Sequence, residues 1–147
     1  METFGFEVAE TALAMRRDFD RRASALGVTR AQWRVLVRLA ATDGARQVDL
    51  AEALDVEPIT LCRMIDRLEE AGFVKRRRDE IDRRAWNIYL TGKAKPVLDE
   101  VHSLASQFHE DALMGISEDD RRRALAVLAQ VRANLNRSSA ANTRKAS

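Results

Sequence analysis

The chain has a single cysteine, Cys62, in 147 residues. No disulfide can therefore form within it and no cysteine-cluster zinc site can be assembled, which fits a reducing compartment. It has no uninterrupted apolar run approaching the roughly 20 residues that cross a bilayer, and its start lacks a basic stretch followed by an apolar core. A membrane role is not expected, and the cytoplasm is the expected location. Excess charge is also missing: 25 lysines and arginines face 23 aspartates and glutamates, a net charge of +2. Any attraction for nucleic acid must then come from where the charges sit, not from how many there are. No serine, cysteine or carboxylate stands beside a base that would activate it, so neither an enzyme nor a cofactor is expected. His102 and His109 lie two helical turns apart, about 10 Å, too far to share one metal ion within a chain. Internal repeats are absent as well.

What is present is a helical protein, 46% hydrophobic and able to bury a sizeable core. Apolar residues at Val8, Ala12, Met15, Phe19, Ala23 and Leu26 keep the three-and-four spacing of one helical face, closed by Gly27. Thr29 and Gln32 have the form of a capping box for a second helix to about residue 41, with Trp33, Leu36, Val37 and Ala40 as its buried stripe. Leu50, Ala51 and Leu54 mark a short third helix. Pro58, whose fixed φ suits a first helical position, starts a fourth that Gly72 stops. The stripe Leu61, Ile65 and Leu68 faces inward on that fourth helix, which turns Ile59, Thr60, Arg63 and Arg67 outward.

Residues 73–78 and 85–90 read as two strands of a hairpin, the second with Trp86, Ile88 and Leu90 on one side and Asn87 and Tyr89 on the other. A fifth helix opens at Thr91 and ends at Gly115, with Val97, Val101, Leu104, Ala105 and Phe108 on its stripe. Ser117 caps a sixth, whose stripe is Leu125, Leu128, Val131 and Leu135. Residues 137–147 are too poor in apolar side chains to offset ordering entropy, and a disordered tail is expected there.

Charge is polarised along this plan. Lys75, Arg76, Arg77, Arg78, Arg83 and Arg84 bring six cations against three acids at and around the hairpin tip, whereas residues 49–57 carry acids alone. Helix, turn, helix, strand, basic tip, strand is the order of a winged helix-turn-helix, so the fold class is mainly α with a small β-wing. The alternative role for part of the cationic strand is to keep an exposed sheet edge from aggregating, and some of each is expected. An arginine such as Arg63 can donate two hydrogen bonds to guanine, Thr60 can contact a phosphate or a base edge, and a narrow A·T-rich minor groove suits Arg83 or Arg84. The stripes of the first, fifth and sixth helices have no further layer to cover them, which points to burial by a partner.

The chain resembles the MarR family of bacterial transcription regulators, in the pattern of its SlyA branch. The resemblance is carried by Leu50-Ala51, Leu54, Leu68-Glu69-Glu70-Ala71-Gly72, the wing motif Asp82-Arg83-Arg84, and Leu90-Thr91 followed by Lys93-Ala94, and it runs from about Phe6 to Leu135. It implies a homodimer on double-stranded DNA, with the recognition helices in successive major grooves and the wing arginines in flanking minor grooves. It also implies terminal helices, residues 1–28 and 93–136, that interlock around a DNA-binding domain at 29–92. Symmetry then calls for a palindromic operator. The DNA-contact set is Pro58, Ile59, Thr60, Arg63, Arg67, Arg76, Arg78, Asp82, Arg83 and Arg84, with Asp82 holding one arginine by a charge-assisted bond. Family members respond to small phenolic or aromatic acids, and here Arg16, Trp33, Val37 and Met64 would line such a cavity, Arg16 facing the carboxylate. Peroxide-sensing relatives keep their cysteine near the N-terminus, so Cys62 is expected to be inert, and the histidine cluster of zinc-sensing relatives is not matched. The expected function is a ligand-responsive repressor; an architectural, nucleoid-like DNA binder and a winged-helix protein-interaction module are the alternatives.

Overall fold

The structure, a computed structural model, describes residues 3–145, with side chains through residue 138. Its elements in chain order are α1 (Phe4–Ala23), α2 (Arg30–Ala41), β1 (Ala45–Arg46), α3 (Gln47–Leu54), α4 (Pro58–Glu70), β2 (Val74–Arg78), β3 (Trp86–Leu90), α5 (Ala94–Ala112) and α6 (Glu118–Lys145). No helix among the described residues is long and apolar enough to cross a membrane.

Local chemistry sets most boundaries. The Thr3 hydroxyl accepts from the Phe6 amide at 3.3 Å, so α1 starts four residues before the apolar spacing becomes visible. It tightens into a 3₁₀ turn at Ser24–Leu26 and stops at Gly27 in the left-handed conformation, φ 72°. The capping box forms as expected: the Thr29 hydroxyl accepts from the Gln32 amide at 3.2 Å, and the Thr29 amide donates back to Gln32 Oε1 at 2.9 Å.

The core of the first part of the chain gathers Val35, Leu36 and Leu39 of α2, Leu50 and Leu54 of α3, and Leu61, Ile65 and Leu68 of α4 against Val74 of β2 and Ile88 of β3. Burying each such side chain contributes about 1.5–3 kcal/mol. The face of α2 differs from the expected one, because Val37 and Ala40 are exposed and Trp33 is half-buried. Apolar residues run nearly all the way round this helix, so spacing alone does not select the inner face; packing against α3 and β3 does.

The sheet has three antiparallel strands in the order β1-β3-β2. The register pairs Val74 with Leu90, Arg76 with Ile88 and Arg78 with Trp86, and it adds a first strand that the sequence reading lacks, pairing Ala45 with Ile88. Two residues are too few to show a period. Gly44 makes that strand possible: at φ 80° its amide donates to the Ile88 carbonyl at 2.8 Å, and a Cβ there would sit 2.8 Å from Tyr89 Cε1. At the root of the wing, the Thr91 hydroxyl donates to the Gly72 carbonyl at 2.5 Å and the Thr91 amide to the Phe73 carbonyl at 3.0 Å. Thr91 is thereby held by the wing, and α5 begins at Ala94 instead.

Two compact units divide the chain between Phe108 and His109, inside α5. In the first, Phe19 of α1 packs on Trp33 at a centroid distance of 5.1 Å and edge-on against Phe108 of α5 at 5.6 Å. In the second, the Ser117 hydroxyl accepts from the Asp120 amide at 3.2 Å to open α6, and Leu125, Leu128 and Leu135 are exposed. The expected tail is helical as far as Lys145, since alanine and serine tolerate a helix that a preceding one has already nucleated; residues 146–147 lie outside the described residues.

Candidate nucleic-acid interface

The turn between α3 and α4 is built on Asp55, a non-glycine residue at φ 53° that ends α3 and allows Pro58 to begin α4 three residues further on. With Leu61, Ile65 and Leu68 fully buried, helical geometry turns Ile59, Thr60, Arg63 and Arg67 to the surface, and all four are exposed. The guanidinium groups of Arg63 and Arg67 have no hydrogen-bond or ion-pair partner among the described residues. α4 therefore presents a cationic face that nothing among the described residues neutralises.

The wing sorts its own cations. Arg76 was expected on DNA, but its side chain is only 13% exposed and pairs with Asp66 at 2.6 Å and Glu69 at 3.3 Å, both on α4. It also donates to the Cys62 carbonyl at 3.1 Å and to Gln47 Oε1 at 3.2 Å. Burial alone would lower its basicity, but the bond to Asp66 and the charges around it outweigh burial and raise its pKa above that of an ordinary arginine. Arg76 is thus a permanently charged tie between β2, α3 and α4. Cys62 is half-buried beside it, its Sγ 3.7 Å from Arg76 Nη2.

Arg78 lies 3.9 Å over the Trp86 ring and donates to the Arg83 carbonyl at 2.9 Å, which fixes the path of the tip. Asp82 differs from its expected role: among the described residues it holds no arginine side chain, and its carboxylate accepts from the Arg84 backbone amide at 3.1 Å. The organising acid is Asp79, which the sequence reading missed. Its carboxylate accepts from the amides of Asp82 at 2.9 Å and Ile81 at 3.0 Å and from Asn87 Nδ2 at 3.1 Å, and Arg46 stands 3.6 Å away. Those backbone bonds, Asp82 first, hold its pKa below the ordinary aspartate value. The available signal was an aspartate directly after a strand, a residue type suited to closing turns on backbone amides. The result is a tip whose backbone is tied down while the guanidiniums of Arg83 and Arg84 have no partner among the described residues.

A cavity of about 390 Å³ lies beside this face, lined by Arg16 of α1, Arg30 and Arg34 of α2, and Thr60 and Met64 of α4, with Ala31, Leu54 and Val56. Two of the four expected lining residues, Arg16 and Met64, are brought together there. Trp33 is packed on Phe19 instead, and Val37 is exposed outside the lining. Arg30 and Arg34 were missed although their spacing of four places both on one face of α2; Arg30 is also 3.4 Å from Asp20.

A helix-turn-helix with a sheet-rooted arginine hairpin, carried between long terminal helices, defines a winged helix-turn-helix protein. Residues 28–86 match the profile of the MarR family. Among solved structures, the transcriptional regulator PA3341 is 39% identical, with a TM-score of 0.81 over 91% of this chain and 98% of that one. The transcriptional regulator SlyA is 31% identical, with a TM-score of 0.75 over 88% and 91%. The transcriptional repressor CouR, solved on a 23-mer DNA duplex, is 30% identical, with a TM-score of 0.75 over 89% and 92%. The chain belongs to the MarR family of transcriptional regulators.

Proposed function

We propose that this regulator binds a palindromic operator as a homodimer and acts as a repressor that lets go when a small aromatic acid enters the cavity beside α4. The observation that carries the reading is the sorting of cations. Arg76 is neutralised internally, whereas Arg63 and Arg67 on α4 and Arg83 and Arg84 on the wing have no partner among the described residues. Unpaired guanidiniums on a recognition helix and on a rigid hairpin suit base edges and a minor groove respectively. CouR, a similar protein, was solved on DNA.

Dimerisation through the terminal helices is supported by their uncovered apolar side chains, Phe4, Phe6, Val8 and Met15 on α1 and Leu125, Leu128 and Leu135 on α6. Patches of that kind are stable in water when a second copy covers them. Release by an acid is supported by the cavity, where Arg16 and Arg34 supply charge for a carboxylate and Thr60 belongs to both the lining and the outward face of α4. A ligand there would press directly on the reading helix.

The test is a footprint on the DNA upstream of the protein's own coding region, repeated with salicylate. Two protected half-sites about one helical turn apart, erased by salicylate, are expected. Protection spread evenly along the DNA would support the architectural alternative, and protection that salicylate leaves intact would remove the acid from the account.

A further inference from the structure

We infer that Ile59 reads the C5-methyl group of thymine, so that each half-site requires a thymine close to the base pair contacted by Arg63; the inference rests on the DNA-binding reading above. Ile59 is the second residue of α4 and is 62% exposed, one turn ahead of Arg63 on the outward face and outside the core cluster. Outside the core cluster, the side chain adds little to the fold: an isoleucine is a poorer helix former than alanine, and most of its branched hydrocarbon is left in water. Its neighbours on that face, Thr60, Arg63 and Arg67, are polar, so its branched hydrocarbon stands among donors.

The base edges of the major groove offer one methyl group, that of thymine, their most prominent apolar feature among hydrogen-bond donors and acceptors. Residues in the first turn of a recognition helix are the ones that meet those edges. A β-branched side chain on a helix keeps essentially one χ1 rotamer, so Ile59 can cover a methyl group with little loss of side-chain freedom. The separation from Arg63 fixes the expected spacing. Four residues advance about 6 Å along the helix axis, close to two base-pair steps of about 3.4 Å. The required thymine therefore lies within about two base pairs of the guanine that Arg63 reads.

The experiment uses the full chain and the duplex identified by footprinting, with each thymine replaced in turn by uracil, which pairs identically but lacks the methyl. At one symmetric pair of positions, uracil should weaken wild-type binding about 4-fold per half-site and about 15-fold when both are changed, the value of one buried methyl-sized group. Ile59→Ala should bind both duplexes equally at that pair, Ile59→Val should keep most of the preference, and Arg63→Ala should keep the thymine-to-uracil ratio while losing guanine preference. Equal melting curves for Ile59→Ala and wild type would show that the fold is untouched. Tolerance of uracil at every position by the wild type, or a full uracil penalty retained by Ile59→Ala, would overturn the inference while leaving operator binding intact. Absence of duplex binding altogether would remove both together.

Discussion

Replacing Arg76 by alanine separates a structural tie from a DNA contact, because the two roles predict opposite patterns. The side chain makes two neutral-acceptor bonds, to the Cys62 carbonyl and Gln47 Oε1, each contributing about 1 kcal/mol. Its ion pairs count for less: Asp66 and Glu69 are 58% and 41% exposed, so solvent screens them and each adds about 0.2–1 kcal/mol. Both carboxylates return to water when the arginine is removed, so no charge is stranded in the core. The total loss is about 2.5–4 kcal/mol, and at about 2–4 °C per kcal/mol for a chain of this size the melting temperature should fall by roughly 5–15 °C. Thermal unfolding is followed by circular dichroism at one fixed chain concentration, since assembly would shift the midpoint. On DNA, the slope of log affinity against log salt should stay at the wild-type value, because no phosphate contact is lost. A melting temperature within about 1 °C of wild type, together with a slope reduced by about 0.9, would mean that Arg76 leaves its internal partners for a phosphate, and the reasoning would be refuted.

Arg83→Ala and Arg84→Ala should show the reverse pattern, an unchanged melting temperature and a salt slope lower by about 1 for whichever arginine meets a phosphate-lined groove, with a larger loss on A·T-rich flanks. Arg63→Ala should relax base preference at one position of each half-site and weaken the specific complex by about 1–3 kcal/mol, read by competition with variant duplexes. Asp79 has a folded-state pKa below its unfolded value, so its contribution to holding the tip is fully present above about pH 4 and is lost as the pH falls through the depressed value. Asp79→Asn should accordingly speed amide exchange at Ile81 and Asp82 at neutral pH without a large change in global melting; unchanged exchange would remove Asp79 from its organising role. Gly44→Ala should destabilise by more than about 1 kcal/mol, because the new Cβ meets the Tyr89 ring and the residue needs a positive φ.

The elements with a strong period were legible without coordinates. The stripe Leu61, Ile65, Leu68 gave α4 its inner face and thereby its outer one, and Thr29 with Gln32 marked the start of α2 because a capping box is a purely local device. Where apolar residues surround a helix, as on α2, no local signal distinguishes Val35 and Leu39 from Val37 and Ala40; the choice belongs to tertiary packing. The run of cations at 75–78 hid a division of labour for a similar reason. Strand alternation puts Arg76 and Arg78 on one side and Lys75 and Arg77 on the other, but only the pairing of Arg76 with Ile88 shows which side faces α4. Asp79 and Asp82 look equivalent in sequence, and the difference between them depends on which backbone amides the folded turn brings to each carboxylate.

The most direct measurement of the central claim is a titration of a fluorescent operator duplex with the full chain, by anisotropy, at several salt concentrations and with the stoichiometry determined at saturation. The account predicts two chains per duplex and an affinity that falls linearly on a log–log scale, by about 0.9 for each phosphate contact released. One chain per duplex, or an affinity indifferent to salt, would contradict it.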